Sequence, residues 1–270
     1  MDNRPIGVFD SGLGGLTVIK ELEKLLPGED IIYFGDTGRV PYGTKGRDTI
    51  VKYAAQIMRF LHGFDVKAVI IACGTVSSVA FEETAAADVP VIGVVSPAAD
   101  AAVRATKNGC IGVLGTSATI RSGSYEKAIL SISPNMHIKS RACPLFVPLV
   151  ESGHFERGDS LTELAAHEYL DDFVGSDIDT VILGCTHYPI LKGIIGDILG
   201  GGITLIDSGR EAAVAAAKAF DTGGILSDNK TGGRCSFYVS DYTEDFTVLA
   251  GILLEHSLTG YVEKTDIEKY

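Results

Sequence analysis

Val181-Ile-Leu-Gly-Cys-Thr-His-Tyr-Pro189 joins an apolar run to a thiol, a hydroxyl and an imidazole. The run predicts a buried β-strand that ends at Gly184, and Pro189 suits the first turn of a helix. Cys185 then lies where a strand gives way to a helix N-terminus. Partial positive charge and free N–H groups there favour a thiolate and an anionic ligand. Val69-Ile-Ile-Ala-Cys-Gly-Thr-Val-Ser-Ser78 has the same grammar: an apolar run, then Cys73, a small residue and Thr75. The cysteines are 112 residues apart (185 − 73), and the same offset aligns Val91-Ile-Gly-Val-Val-Ser96 with Ile203-Thr-Leu-Ile-Asp-Ser208. A slightly shorter offset aligns Ile6-Gly-Val-Phe-Asp-Ser11 with Ile111-Gly-Val-Leu-Gly-Thr116. Three matched strand ends in one order predict two similar α/β units. Two such units face to face put both cysteines on one cleft.

Outward from these strands, Ile6–Phe9, Ile31–Phe34, Val89–Val95, Cys110–Leu114, His137–Cys143, Ile203–Ile206 and Arg234–Ser240 also read as strands. Helical periods lie between them, at Thr17–Leu26 and Arg47–Leu61 among others. Ser96-Pro97 reads as an N-cap with proline at N1, and Ser160-Leu-Thr-Glu163 as a capping box. Pro144–Glu151 reads as a loop, and Phe246–Leu254 as a terminal helix. The alternation predicts an α/β protein of two similar parallel-sheet domains, with the active site in the cleft between them beyond the carboxyl ends of the strands. The expected division is 1–96 plus 209–270, whose C-terminal segment folds back onto the first unit, and 97–208.

A chain of 270 residues fits one large domain or two ordinary ones. A net charge of −12 argues against nucleic acid as a partner, since phosphate binding wants a basic face. It leaves room for an anionic small substrate at a locally positive site. No apolar run is long enough to span a bilayer, so no membrane partner is expected. Five scattered cysteines, an odd count with no Cys-x-x-Cys and no visible leader, predict reduced thiols in a cytoplasm.

Two thiols across a cleft suit the movement of a proton on and off one carbon from opposite faces. A thiolate takes the proton, a thiol returns one to the far side, and the carbon inverts. Thr75, Thr186 and nearby N–H groups are candidate donors to the carbanion's carboxylate. Asp10 and His187 are placed to orient the thiols and stabilise their protons. A lone strand-end cysteine is commonly a small buried hydrophobe; two in matched settings argue for chemistry. Cys110, Cys143 and Cys235 lack such a setting and read as core or surface thiols. His62, His137, His154, His167 and His256 read as surface or helix residues. Gly12-Leu-Gly-Gly-Leu-Thr17 looks like a dinucleotide loop, but Thr17 stands at the third glycine and Asp10 would repel a pyrophosphate.

These motifs resemble the glutamate racemases of the cofactor-independent aspartate/glutamate racemase superfamily, over nearly the whole chain. The resemblance rests on Gly7-Val-Phe-Asp-Ser-Gly-Leu-Gly-Gly-Leu-Thr17, Asp36-Thr37 with Pro41-Tyr-Gly43, Ala72-Cys-Gly-Thr75, Pro148-Leu-Val-Glu151 and Leu183-Gly-Cys-Thr-His-Tyr-Pro189. It implies interconversion of L- and D-glutamate without pyridoxal phosphate or metal, supplying D-glutamate for peptidoglycan. It implies Cys73 and Cys185 as the acid/base pair, the first acting on the D-isomer and the second on the L-isomer. Asp10, His187 and Glu151 support them. Asp10, Ser11, Pro41, Tyr42, Gly43, Gly74, Thr75, Thr116, Thr119, Thr186 and His187 are the implied substrate positions, and a homodimer is the implied assembly.

Gly74 departs from the family's usual Ala-Cys-Asn-Thr. The Asn side chain would donate to the substrate; glycine keeps only its N–H. One lost hydrogen bond costs about 0.5–1.5 kcal/mol. Aspartate racemisation, or an isomerase of the superfamily acting on a related acid, is therefore the alternative. A single-thiol isomerase or decarboxylase, a non-catalytic binding protein and a nicotinamide-dependent oxidoreductase fit the two intact cysteine sites less well.

Overall fold

The computed structural model describes residues 1–242, 246–258 and 262–270. Ten strands are found among them: β1 (Ile6–Asp10), β2 (Ile31–Gly35), β3 (Ala68–Ile71), β4 (Val91–Gly93), β5 (Cys110–Gly115), β6 (His137–Ala142), β7 (Thr180–Leu183), β8 (Thr204–Asp207), β9 (Cys235–Val239) and β10 (Val262–Lys264). They form two sheets, ordered β10-β9-β2-β1-β3-β4 and β6-β5-β7-β8. Every pairing is parallel. The run β2-β1-β3-β4 in one sheet and β6-β5-β7-β8 in the other have the same order, which is the spatial form of the sequence repeat.

Helices cover both faces of the larger sheet, so β1 and β3 are buried throughout rather than at alternate residues. The two faces still divide by the period of the strand. Ile6, Val8, Ala68 and Ile70 pack toward helix Leu16–Leu25 and the alanine-rich helix Ser208–Thr222. Phe9, Val69 and Ile71 pack toward helix Arg47–His62. In the smaller sheet Ile111, Val113 and Ile182 face helices Val95–Ala105 and Ser124–Ile132. Leu114, Val181 and Leu183 face Ser160–Leu170 and Lys192–Leu199.

The alanines of Ser208–Thr222 have a structural reason. That helix packs on both Leu16–Leu25 and Val95–Ala105, and Ala212, Ala213 and Ala216 are wholly buried. Small side chains let it lie between the two units. β9 then returns to pair with β2, with Ile31 opposite Cys235. The start of this returning segment is held by Lys67, whose buried Nζ reaches Glu29 at 2.5 Å and the carbonyls of Asp2 and Ile225 at 2.7 and 2.8 Å.

Several local expectations are corrected. The helix expected from Ser96 begins at Val95, so Pro97 falls within its first turn rather than at its first position, and the preceding Val94 N–H donates to Ser77 Oγ at 3.2 Å on a neighbouring helix. The capping box is shifted by one residue: Asp159 accepts from Thr162 N–H, and Glu163 reaches back to Gly158 N–H. Pro189 opens a 3₁₀ turn, Tyr188–Leu191, and the α-helix starts only at Lys192. Cys185 therefore does not sit at an α-helix N-terminus. Phe146–Glu151 is a helix, with Pro148 inside its first turn, where its missing N–H costs nothing.

Candidate active site

Parallel pairing brings the strand ends of both sheets to one interface. The ladder of β1 and β3 places Phe9 opposite Ile71, so Asp10 and Cys73 leave the sheet together. The ladder of β5 and β7 places Leu114 opposite Leu183, so Thr116 and Cys185 leave the other sheet together. A cavity of about 220 Å³ lies between them. That is below the roughly 300–1,000 Å³ of a drug-sized site and suits one small molecule.

Ser11, Pro41, Tyr42, Gly43, Cys73, Gly74, Thr75, Thr116, Glu151, Cys185, Thr186 and His187 all line it. Asp10 and Thr119 stand behind the lining. Asp10 is fully buried; it accepts from Gly12 N–H at 3.0 Å and from Thr186 Oγ1 at 3.4 Å. Thr119 accepts from Thr116 Oγ1 at 3.0 Å, and Thr116 meets Thr75 Oγ1 at the same distance, so a chain of hydroxyls crosses between the units. Tyr42 donates to Asp36, which is held by Arg39 at 2.7 Å. Arg39 continues to Gln56 and to Glu268 near the C-terminus.

The glycines of residues 12–15 serve this interface. A Cβ on Gly14 would lie 2.2 Å from Thr186 Oγ1 and 2.6 Å from the His187 ring. The loop that looks like a nucleotide cradle is thus filled by the other unit's Thr-His pair.

The two thiols have different surroundings. Cys73 donates to Ser11 Oγ at 3.4 Å. Burial, and then the charge of Asp10, push its pKa from 9.0 up to about 12, against the pull of the Ser11 hydroxyl and the Val76 N–H. Cys185 Sγ lies 3.9 Å from His187 Nδ1, and His187 Nε2 lies 3.1 Å from Glu151 Oε1. Burial disfavours the imidazolium, but the hydrogen bonds and charges of Cys185 and Glu151 outweigh it and raise His187 to about 10. Burial raises Asp10, opposed by His187 and by the N–H groups of Gly12 and Gly15. At neutral pH the site therefore holds a protonated Cys73 on one side and an imidazolium beside Cys185 on the other.

A pH dependence of stability follows. A group whose folded pKa is raised stabilises the fold fully below its unfolded pKa and ceases to do so as pH rises through the folded one. For His187 that window runs from 6.5 to about 10, and for Cys73 from 9.0 to about 12. Thermal midpoints should fall steadily from pH 7 to pH 10, and His187→Gln should flatten the decline. A midpoint that rises over this range contradicts the assignment.

Cys143, read as a core or surface thiol, is buried but lines the cavity, as do Val40, Pro144 and Val147. Cys143 directly follows β6, so the strand-end rule that found Cys73 and Cys185 also applied to it. Among the described residues no group of three or more potential metal ligands occurs, and no helix is long and apolar enough to cross a membrane.

The family model described as Asp/Glu/Hydantoin racemase matches residues 6–216. A glutamate racemase of Geobacter metallireducens is 45% identical over 244 residues, 90% of each chain. The crystal structure of glutamate racemase from Francisella tularensis in complex with D-glutamate superposes with a TM-score of 0.93 at 40% identity, covering 100% of both chains. The glutamate racemase from Thermus thermophilus in complex with β-chloro-D-alanine gives 0.88 at 42% identity, again over 100% of both. With its fold, its sequence and its paired strand ends in agreement, this chain belongs to the Asp/Glu/hydantoin racemase family and, within it, to the glutamate racemases.

Proposed function

We propose that the protein racemises glutamate by passing one proton to Cys185 and taking another from Cys73. The observation that carries this is the unequal pair of thiols across one small cavity. In the L-to-D direction the Cys185 thiolate removes the Cα proton while the His187 imidazolium faces its sulfur. The charge that develops on the α-carboxylate is met by Thr75, Thr186 and first-turn N–H groups of the helix Gly74–Val79. The Cys73 thiol then protonates the opposite face. Release of D-glutamate leaves Cys73 ionised and Cys185 protonated, and exchange with solvent resets them. The D-to-L direction runs the same steps backward.

Among the described residues the cavity lining carries hydroxyls, one imidazole and the Glu151 carboxylate that faces it, but no lysine or arginine. The substrate's carboxylates are thus held by neutral donors and by His187, with Ser11, Tyr42, Gly43 and Thr116 completing the lining. The names of the relatives favour glutamate over aspartate. By the same resemblance the product serves peptidoglycan synthesis in the cytoplasm, and the working form is a homodimer.

The test is optical rotation of L-glutamate, D-glutamate and L-aspartate in separate cells, with a thiol reductant and no added cofactor. Decay is expected from both glutamate enantiomers, and far slower decay or none from aspartate. Decay from aspartate alone would reassign the substrate. No decay from any would refute the racemase reading.

A further inference from the structure

Gly74 directly follows Cys73, and Gly184 directly precedes Cys185. These two residues meet across the cleft. A Cβ built on Gly74 would lie 2.2 Å from the Gly184 carbonyl oxygen and 3.6 Å from Cys185 Cα. The obstacle is backbone, so no rotamer change removes it. Gly184 is itself fixed: its N–H donates to Leu114 O at 2.8 Å, and a Cβ on it would lie 2.7 Å from that oxygen. The other side is equally fixed. Ala72 N–H donates to Phe9 O, and Ser77 N–H to Cys73 O, each at 2.9 Å. Gly74 has no positive φ, so the backbone conformation does not call for glycine. Glycine is also a poor helix former, yet it opens the helix Gly74–Val79. What requires it is space.

We propose that Gly74 is a positioning residue that sets the gap between the two thiols. Its bare Cα is the point where the strand end carrying Cys73 touches the strand end carrying Cys185. The inference rests on the two-thiol reading and gives Gly74 a role other than withholding a hydrogen bond from the substrate. The Asn usual in the family could not stand here without moving the two backbones apart.

One methyl group at this point lies 2.2 Å from the Gly184 oxygen and needs more than about 1 Å of extra separation to reach ordinary contact, which begins at 3.4 Å. A displacement of that size at a reacting centre costs about 10²-fold in rate. Gly74→Ala is expected to lower kcat by about that factor from both enantiomers, with KM little changed. Iodoacetamide labelling of the substrate-free protein, read by mass spectrometry, should speed up at Cys73 and Cys185 and stay as in the wild type at Cys110 and Cys235. Gly74→Asn should be impaired in the same way. If Gly74→Asn instead works better on glutamate with unchanged labelling, the missing donor is the right account and the contact is not. Wild-type kcat in Gly74→Ala overturns the proposal. So does labelling that speeds up by the same factor at all five cysteines, since the effect is confined to the cleft. A wild-type protein that racemises neither enantiomer would refute the two-thiol reading, and the labelling comparison would still decide whether Gly74 sets the gap.

Discussion

Cys73→Ser and Cys185→Ser are each expected to abolish racemisation, from L-glutamate and from D-glutamate alike, while the fold is kept. In the proposed mechanism every turnover needs one sulfur as base and the other as acid. A hydroxyl accepts the first role poorly, because it ionises far less readily than a thiol. The expected loss is about 10⁴-fold, the upper range for a positioned acid or base. Both directions must suffer equally in kcat/KM: enantiomers have equal free energy, so the two ratios cannot diverge. Serine is close in size to cysteine, and each sulfur faces an existing cavity, so circular dichroism and thermal midpoints should match the wild type. Full activity in either variant would leave no place for a two-base mechanism.

His187→Gln is the second large effect. His187 is the one cationic group in the lining, and it links Glu151 at 3.1 Å to Cys185 at 3.9 Å. Glutamine retains a donor but neither the charge nor the proton relay. A fall of about 10²-fold in kcat/KM is expected. The wild-type pH–rate profile is expected to fall on its alkaline side as His187 loses its proton, and in the variant that limb should shift or vanish. A variant with the wild-type pH profile would show that the imidazolium is not coupled to Cys185.

Much of this was legible in the sequence because it depends on local pattern. An apolar run followed by a cysteine and a nearby threonine places a thiol at a strand's carboxyl end. The repeated offset anticipated that β2-β1-β3-β4 and β6-β5-β7-β8 share one order. What stayed hidden depends on distant partners. The helix expected from Ser96 is preceded by Val94, whose N–H is held by Ser77, and only the fold brings helix Gly74–Val79 to that point. β10 has three residues, too few to show a period, and pairs only because β9 precedes it in the sheet. Phe146–Glu151 follows one turn-like cue, Pro144, and contains another, Pro148, yet forms a helix because Phe146 and Val150 pack against the core around Tyr169 and Tyr188. The Gly74–Gly184 contact spans the two units and has no local signature.

Two thiols acting on opposite faces of one carbon leave a signature in where deuterium enters when the reaction is run in D₂O. L-glutamate would be converted in D₂O and sampled early in the reaction, with deuterium at Cα read in each separated enantiomer. D-glutamate is expected to carry deuterium at Cα from the first turnover, and recovered L-glutamate still to carry protium, because the base that removes the proton is not the acid that supplies the next one. D-glutamate that retains the original protium, or deuterium entering recovered L-glutamate as fast as product forms, would contradict it.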